Sequence, residues 1–186
     1  MESLAYRGNL DYHGDELHSL FAYGITKKQG DSIISFIGKC NVKEHLVDVE
    51  DILNKDYIYS EKMLHFIIEH FPADLELMVT RQRLLMCIIQ GLLADEGIRR
   101  DGDDLISKDG GKLSVSIATV SHVSSLMHVG LNVVKETKAP VKTCSLEELG
   151  MKYDEQIESF ATNIKDSYIE EIESIKKACY KVRGVN

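Results

Sequence analysis

The feature that most constrains this chain is an apolar stripe near its C-terminal end. From Tyr153 to Val182, the residues Ile157, Phe160, Ile164, Tyr168, Ile172, Ile175 and Cys179 recur at three- and four-residue intervals, the spacing that lines one face of an α-helix. Such a helix must lay that face on something, either a sheet or a second copy of itself in a homodimer. With 186 residues at 44% apolar composition, the chain can build one sizeable core, so a single domain over 1–186 is expected, with 153–182 as its terminal helix.

The segments before that helix read mostly as strands. Leu17 to Gly24 and Ser32 to Phe36 are apolar or aromatic runs on either side of Lys27-Lys28-Gln29-Gly30-Asp31, whose residues favour a turn, and an antiparallel pair is predicted there. Residues 43 to 61 are acidic and irregular. Met63 to Phe71 reads as a further strand, ended by Pro72. From Leu75 to Glu96, Leu77, Leu84, Leu85, Ile88, Leu92 and Leu93 keep helical spacing, and Gly97 supplies a stop. Leu113 to Val120 and Leu126 to Val134 flank Ser121 to Ser125 and read as a hairpin. Strands, a helix, a hairpin and a terminal helix together specify an α+β fold with a mixed or antiparallel sheet.

Charge and cysteine usage narrow the function. A formal charge of -8, with no basic string longer than Lys27-Lys28 or Arg99-Arg100, argues against a nucleic-acid surface. Cys40, Cys87, Cys144 and Cys179 form no C-x-x-C pair, so neither a zinc ribbon nor a disulfide framework is expected, and free thiols point to a reducing, cytoplasmic setting. The longest apolar run, Leu84 to Leu93, is interrupted by Gln90 and Gly91, too short to cross a membrane.

Two strings stand out: Gly110-Gly111-Lys112-Leu113-Ser114 and His128-Val129-Gly130-Leu131-Asn132-Val133, both following Arg100-Asp101-Gly102-Asp103-Asp104-Leu105-Ile106. In the order and spacing of these elements, residues 81–151 resemble the superfamily of biotin protein ligases, lipoate-protein ligases and octanoyltransferases, whose fold is class II synthetase-like. Lys112 takes the place of the lysine in its Gly-Arg-Lys strand. The resemblance implies a small acyl or carboxylate ligand. Following the octanoyltransferases, it implies Lys112 and Cys144 as catalytic residues facing one pocket, the cysteine carrying the acyl group as a thioester. A nearby ammonium favours the thiolate and stabilises the oxyanion formed when a carbonyl is attacked. Substrate-binding positions are expected at Gly110, Gly111, Asp104, His128, Gly130 and Asn132, the paired glycines letting backbone approach the ligand.

His65 and Glu69 fall on the same face of their predicted strand, with His70 on the other. They are read either as a pocket-lining acid and base, which makes His65 a further substrate-binding candidate, or as an ion pair on an edge strand. The chain departs from the ligases in one respect. Where they carry an Arg/Gly-rich loop for the polyphosphate of ATP, this chain has Gly38-Lys39-Cys40-Asn41-Val42 and the acidic Val47-Asp48-Val49-Glu50-Asp51, which disfavours ATP-dependent ligation.

The leading expectation is therefore a lipoyl/octanoyl-type acyltransferase relative acting on a thioester or carboxylate ligand. The alternatives are a non-catalytic binding or assembly protein that keeps the fold, and a metal-dependent hydrolase using the acidic loop with His65 and Glu69. No metal ligand set is assigned, because the acidic spacing matches no calcium loop, and the residues name no cofactor. Over nearly its whole length the chain also resembles a family of short archaeal and bacterial proteins known as a domain of unknown function, through Phe36-Ile37-Gly38-Lys39-Cys40 and the strand from Met63 to Phe71.

Overall fold

The computed structural model describes residues 1–8, 10–139 and 141–185. Along the chain run β1 (Glu2–Ala5), α1 (Phe21–Thr26), β2 (Ser32–Val42), α2 (Val49–Asn54), β3 (Ile58–His70), α3 (Leu75–Leu92), a 3-10 turn (Ala94–Glu96), β4 (Arg99–Asp101), β5 (Asp104–Ile106), β6 (Ser114–Val120), β7 (Ser125–Asn132) and α4 (Asp154–Tyr180). The main sheet is five-stranded in the order β1-β2-β3-β7-β6, and β4 and β5 form a separate two-stranded ribbon. β1 lies parallel to β2 and the other neighbours are antiparallel, so the fold is α+β with a mixed sheet and a long C-terminal helix.

Alternation along the strands divides the molecule into two sides. Ile33, Leu64, Phe66, Ile68, Met127, Val129 and Leu131 point into the larger core, which α3 closes with Met78, Leu85, Met86 and Ile89, and α4 with Ile157, Phe160, Ile164 and Tyr168. Ile34, Phe36, Cys40, Met63 and Ile67 point the other way, under Tyr12, Ala22 and Val42. Among the described residues, that second side is covered by the N-terminal segment, α1 and the β2–β3 connection. It is where a cleft remains.

Three expectations need correction. Leu17 to Gly24 is not a strand: Phe21–Thr26 is a short helix whose Phe21 and Ile25 pack against the smaller core, with Leu17 beside them outside the helix, and the N-terminal partner of Ser32 is Glu2 of β1, not this run. The stretch 43 to 61 is not irregular throughout, because Asp48 caps α2 by accepting from the Glu50 N–H at 2.8 Å and β3 begins at Ile58. β3 is the central strand rather than an edge, so Glu69 is buried and makes no ion pair with His65. Its carboxylate accepts from the Leu20 N–H at 3.0 Å and from Ser124 Oγ at 2.6 Å.

The helices follow their local signals. Asp74 caps α3, its side chain accepting from the Leu77 N–H at 2.9 Å. The α4 stripe is buried through Ile172, then runs past the core, leaving Ile175 43% exposed and Cys179 exposed. A buried relay pins α4 to the sheet: His70 Nδ1 lies 2.9 Å from Asp31 Oδ2, and His70 Nε2 lies 2.9 Å from the Tyr168 hydroxyl. Tyr168 is fully buried, so this Asp-His-Tyr series is a structural tie. Among the described residues no helix is long and apolar enough to cross a membrane.

Candidate ligand-binding cleft

The cleft, about 590 Å³, opens between the strands β6 and β7, the ribbon residues Asp103 and Asp104, and α2 with its flanks. Its size is that of a small-molecule site. Met63, Ile58, Val115 and Val141 give it apolar wall, and Ser114, Ser116, Asn132 and Thr143 give it neutral polar groups. Its charged groups are Asp48, Asp51, Asp56, Asp103 and Asp104, with Lys112 the only cation among the described lining residues. Lys112 Nζ sits 2.9 Å from Asp104 Oδ1, both side chains about one-third exposed.

The carboxylates are individually held. Burial tends to raise the Asp103 carboxyl, but the Arg83 guanidinium at 2.5 Å and the Ser116 hydroxyl at 3.1 Å outweigh it and keep it below the ordinary value. Gln82 Nε2 donates to both Asp103 and Ser116, at 3.2 and 2.7 Å. Asp51 goes the opposite way: burial, then the neighbouring Asp48 and Asp56, raise it, with Lys112 opposing. The carboxylate raised by its surroundings thus lies within the electrostatic reach of the lysine.

The extended segment that carries Lys112, just before β6, is tied to residues 142–144. Its N–H donates to Lys142 O at 2.9 Å, and its carbonyl accepts from Cys144 N–H at 3.0 Å, an isolated parallel bridge that sets Lys112 opposite Thr143. Asn132 closes the arrangement, Nδ2 donating to the carbonyls of Lys112 and Cys144 at 3.2 and 3.4 Å. Thr143 lines the cleft, so Cys144 alternates away from it. It is 6% exposed, within the core under α3 and α4. Burial, then Glu148, push its thiol above the usual value, opposite to what a nucleophile requires.

Of the residues singled out in the sequence, Asp104, Lys112 and Asn132 come together on the cleft wall. Cys144, Gly110, Gly111, Gly130 and His65 do not line it. Gly110 turns the chain at φ +85, and a side chain at Gly111 would run into the Thr143 carbonyl, so both glycines serve chain packing rather than a ligand's approach. Gly130 makes room for Met63 and Val115.

His65 and His128 form a buried pair beneath the cleft, Nδ1 of the first 3.0 Å from Nε2 of the second. Tyr12 stacks on His128 with ring centroids 3.7 Å apart, and Phe36 stacks on His65 at 4.7 Å. A recess of about 60 Å³, bordered by Tyr12, Val42, Val115, Ile117, His128 and the loop residues His45 to Val47, adjoins the cleft and shares Asp48, Asp51, Ile58, Val115 and Ser116 with it.

Sequence reasoning missed Tyr12 and Ser116, and it read Asp51 only as part of an acidic loop. Tyr12 is delivered by an isolated bridge to Cys40 and by the close approach of Leu10 to Gly38, where any Cβ would overlap the Leu10 carbonyl oxygen. No local signal announces either contact. Among the described residues, no group of three or more His, Cys, Asp or Glu is placed to hold a metal ion together.

Mixed sheet, helical face and open cleft define the class: a lipoate/biotin-ligase-like α+β fold. The chain superposes on the bipartite lipoate protein ligase of Thermoplasma acidophilum with a TM-score of 0.58 at 12% identity, covering 91% of this chain and 84% of the other. The biotin protein ligase of Aquifex aeolicus gives 0.59 at 12%, covering 95% and 71%. Much nearer is a protein of unknown function from Pyrococcus horikoshi, with a TM-score of 0.90 at 39% identity over 100% of this chain and 99% of that one. An uncharacterised protein of Methanocaldococcus jannaschii is 37% identical over 185 residues, 95% of this chain and 82% of the relative. The chain belongs to the family described as DUF366, a domain of unknown function, which matches residues 1–183.

Proposed function

We propose that the protein binds an acyl thioester in this cleft, as a relative of the lipoyl/octanoyl acyltransferases, with the carbonyl oxygen accepting from Lys112. The observation that carries this reading is the charge pattern: one ammonium faces five carboxylates. That field repels a polyphosphate or a free fatty-acid anion and tolerates a neutral carbonyl. It also attracts an ammonium group, which makes an amine the fitting acceptor. The connection between β2 and β3, where the ligases carry their phosphate loop, here folds into α2 with Asp48 and Asp51 turned to the cleft.

In the corresponding transfer, the recruited ammonium first loses one proton to solvent, the free amine attacks the thioester carbon, the C–S bond breaks, and the second amine proton passes through the Asp51 carboxylate to the departing sulfur. Lys112 holds the developing oxyanion. No acyl-enzyme on Cys144 is required, and its position under the helices speaks against one. A neighbouring groove, lined by Lys43, Lys55 and Lys138 together with Glu44 and Asp56, offers cations to the anionic carrier of a thioester. A cytoplasmic setting fits the exposed free thiols Cys87 and Cys179.

Titration with octanoyl-N-acetylcysteamine, followed by intact-mass analysis after addition of N-acetyl-lysine amide, tests the reading. Expected are saturable binding lost in Lys112→Met and formation of the octanoyl amide. Binding without amide formation favours the non-catalytic alternative. No binding, or an octanoyl adduct on Cys144, sinks the proposal.

A further inference from the structure

The His65–His128 pair has no part in the transfer described above, yet its hydrogen bonds decide what the recess offers a ligand. The Gly38 carbonyl can only accept, so His65 Nε2, 3.4 Å away, carries a proton and donates to it. Both rings are neutral: burial holds His65 down at about 3, and burial, then the neighbouring His65, hold His128 well below its usual value. A neutral His65 protonated on Nε2 has a bare Nδ1. His128 Nε2, 3.0 Å from that atom, therefore carries the only proton of the second ring. His128 Nδ1 is left as an acceptor with no hydrogen-bond partner among the described residues, on a side chain only 2% exposed.

That ring borders the recess, between Tyr12 stacked on its face and Val115 and Ile117 of β6. At about 60 Å³ the recess has room for roughly two water-sized groups. A ligand donor that reaches this acceptor makes a hydrogen bond that a methyl group cannot make, and the recess shares Asp48, Asp51, Ile58, Val115 and Ser116 with the acyl cleft.

We propose that the recess reads the far end of the acyl chain, and that the ligand class is an acyl group ended by a neutral hydrogen-bond donor, a hydroxyl or amide N–H, rather than a plain methyl. This rests on the acyl reading of the cleft and adds the terminal group it selects. The donor occupies the lone pair of His128 Nδ1. Tyr12 and the Gly38 carbonyl act as positioning groups, the first fixing the ring plane and the second the tautomer.

Two measurements test it. Nitrogen-15 NMR of histidine-labelled wild-type protein reads the tautomer without ligand: His128 must be the Nε2–H form, and an Nδ1–H form overturns the proposal. Calorimetry then compares N-acetylcysteamine thioesters of unsubstituted and ω-hydroxy acids of four, six and eight carbons. The hydroxyl-ended probe of best length is expected to bind about tenfold tighter than its methyl-ended counterpart. The ratio should fall to about one in His128→Phe, which keeps the stack on Tyr12 and removes the acceptor. Equal binding of the two ends in wild type, or a tenfold ratio that survives in His128→Phe, overturns this proposal and leaves the acyl reading standing. No binding by any probe overturns both. If His128→Phe does not fold, the wild-type Nδ1 resonance decides: it must move on adding the hydroxyl-ended probe, and an unmoved resonance counts against the assignment.

Discussion

The Cys144 N–H donates to the Lys112 carbonyl at 3.0 Å, yet the two side chains part, Lys112 into the cleft and Cys144 into the core beneath α3 and α4. Alkylation should follow that partition. Cys87 and Cys179, both exposed, should react with iodoacetamide well before Cys144 in the folded protein, read by peptide mass spectrometry. Cys144→Ala should lower unfolding free energy by about 1–2 kcal/mol through the small cavity it leaves, with thioester binding within twofold of wild type. Fast labelling of Cys144 would contradict its placement.

Asp104 holds the Lys112 ammonium at 2.9 Å. Asp104→Asn removes one of five anions facing that cation and frees it, so free octanoate should bind several-fold more tightly than to wild type. Both groups are partly solvated, and global stability should change by no more than about 0.5 kcal/mol. Unchanged octanoate affinity by calorimetry would mean that the cleft charge does not govern ligand choice.

Two glycines facing the cleft side should respond differently to alanine. At Gly38 the new Cβ overlaps the backbone carbonyl of Leu10, which can yield only if the Tyr12 segment moves, and a loss of about 2–3 kcal/mol is expected. At Gly130 the overlap is with the Met63 side chain, which has rotamers to use. A smaller loss of about 1 kcal/mol is expected there, together with weaker ligand binding, because Met63 lines the cleft. Urea denaturation of the two variants checks the order.

The buried histidines give stability a defined pH dependence. The folded-state value of His65 is depressed to about 3 from an ordinary 6.5, and that of His128 is also depressed, so the unfolded chain binds more protons below 6.5. Their contribution is intact above about 6.5 and is lost as pH falls toward 3, with a slope approaching about 1.4 kcal/mol per pH unit for each ring. Asp31, held at about 2 against burial by its bonds to His70 and the Phe71 N–H, adds stability that is present above 3.8 and lost as pH falls toward 2. Denaturation curves from pH 7 to 4 should be shallower for His128→Phe than for wild type. Parallel slopes would mean the ring is not buried neutral.

Much of this architecture is written locally. The spacing in α3 and in the first part of α4, and the Ser121 to Ser125 break between β6 and β7, read directly as elements because burial on one face imposes a period on residues close in sequence. The N-terminal region was less legible. Only Phe21–Thr26 of the run from Leu17 is helical, too short a span to stand out as a helix from a strand-like apolar run, and β1 is too short to show any period.

The cleft is legible only in part. The neighbourhood of Lys112, Asp104 and Asn132 could be named from the order of their strings, because pairing of adjacent segments preserves that order. Which side of the sheet each side chain serves could not. Cys144 turns inward because Thr143 took the place opposite Lys112, and β3 is central only because β2 and β7 both pair with it.

The sequence by itself determined the two long helices α3 and α4 and the β6–β7 hairpin with Lys112 just before it, each a matter of periodicity and neighbours. Only the tertiary structure decided that Tyr12 covers His128, that α2 brings Asp51 over Lys112, and that His65 meets His128 across 63 positions of chain. Such contacts are set by which distant segments bury one another, and no local period encodes that choice.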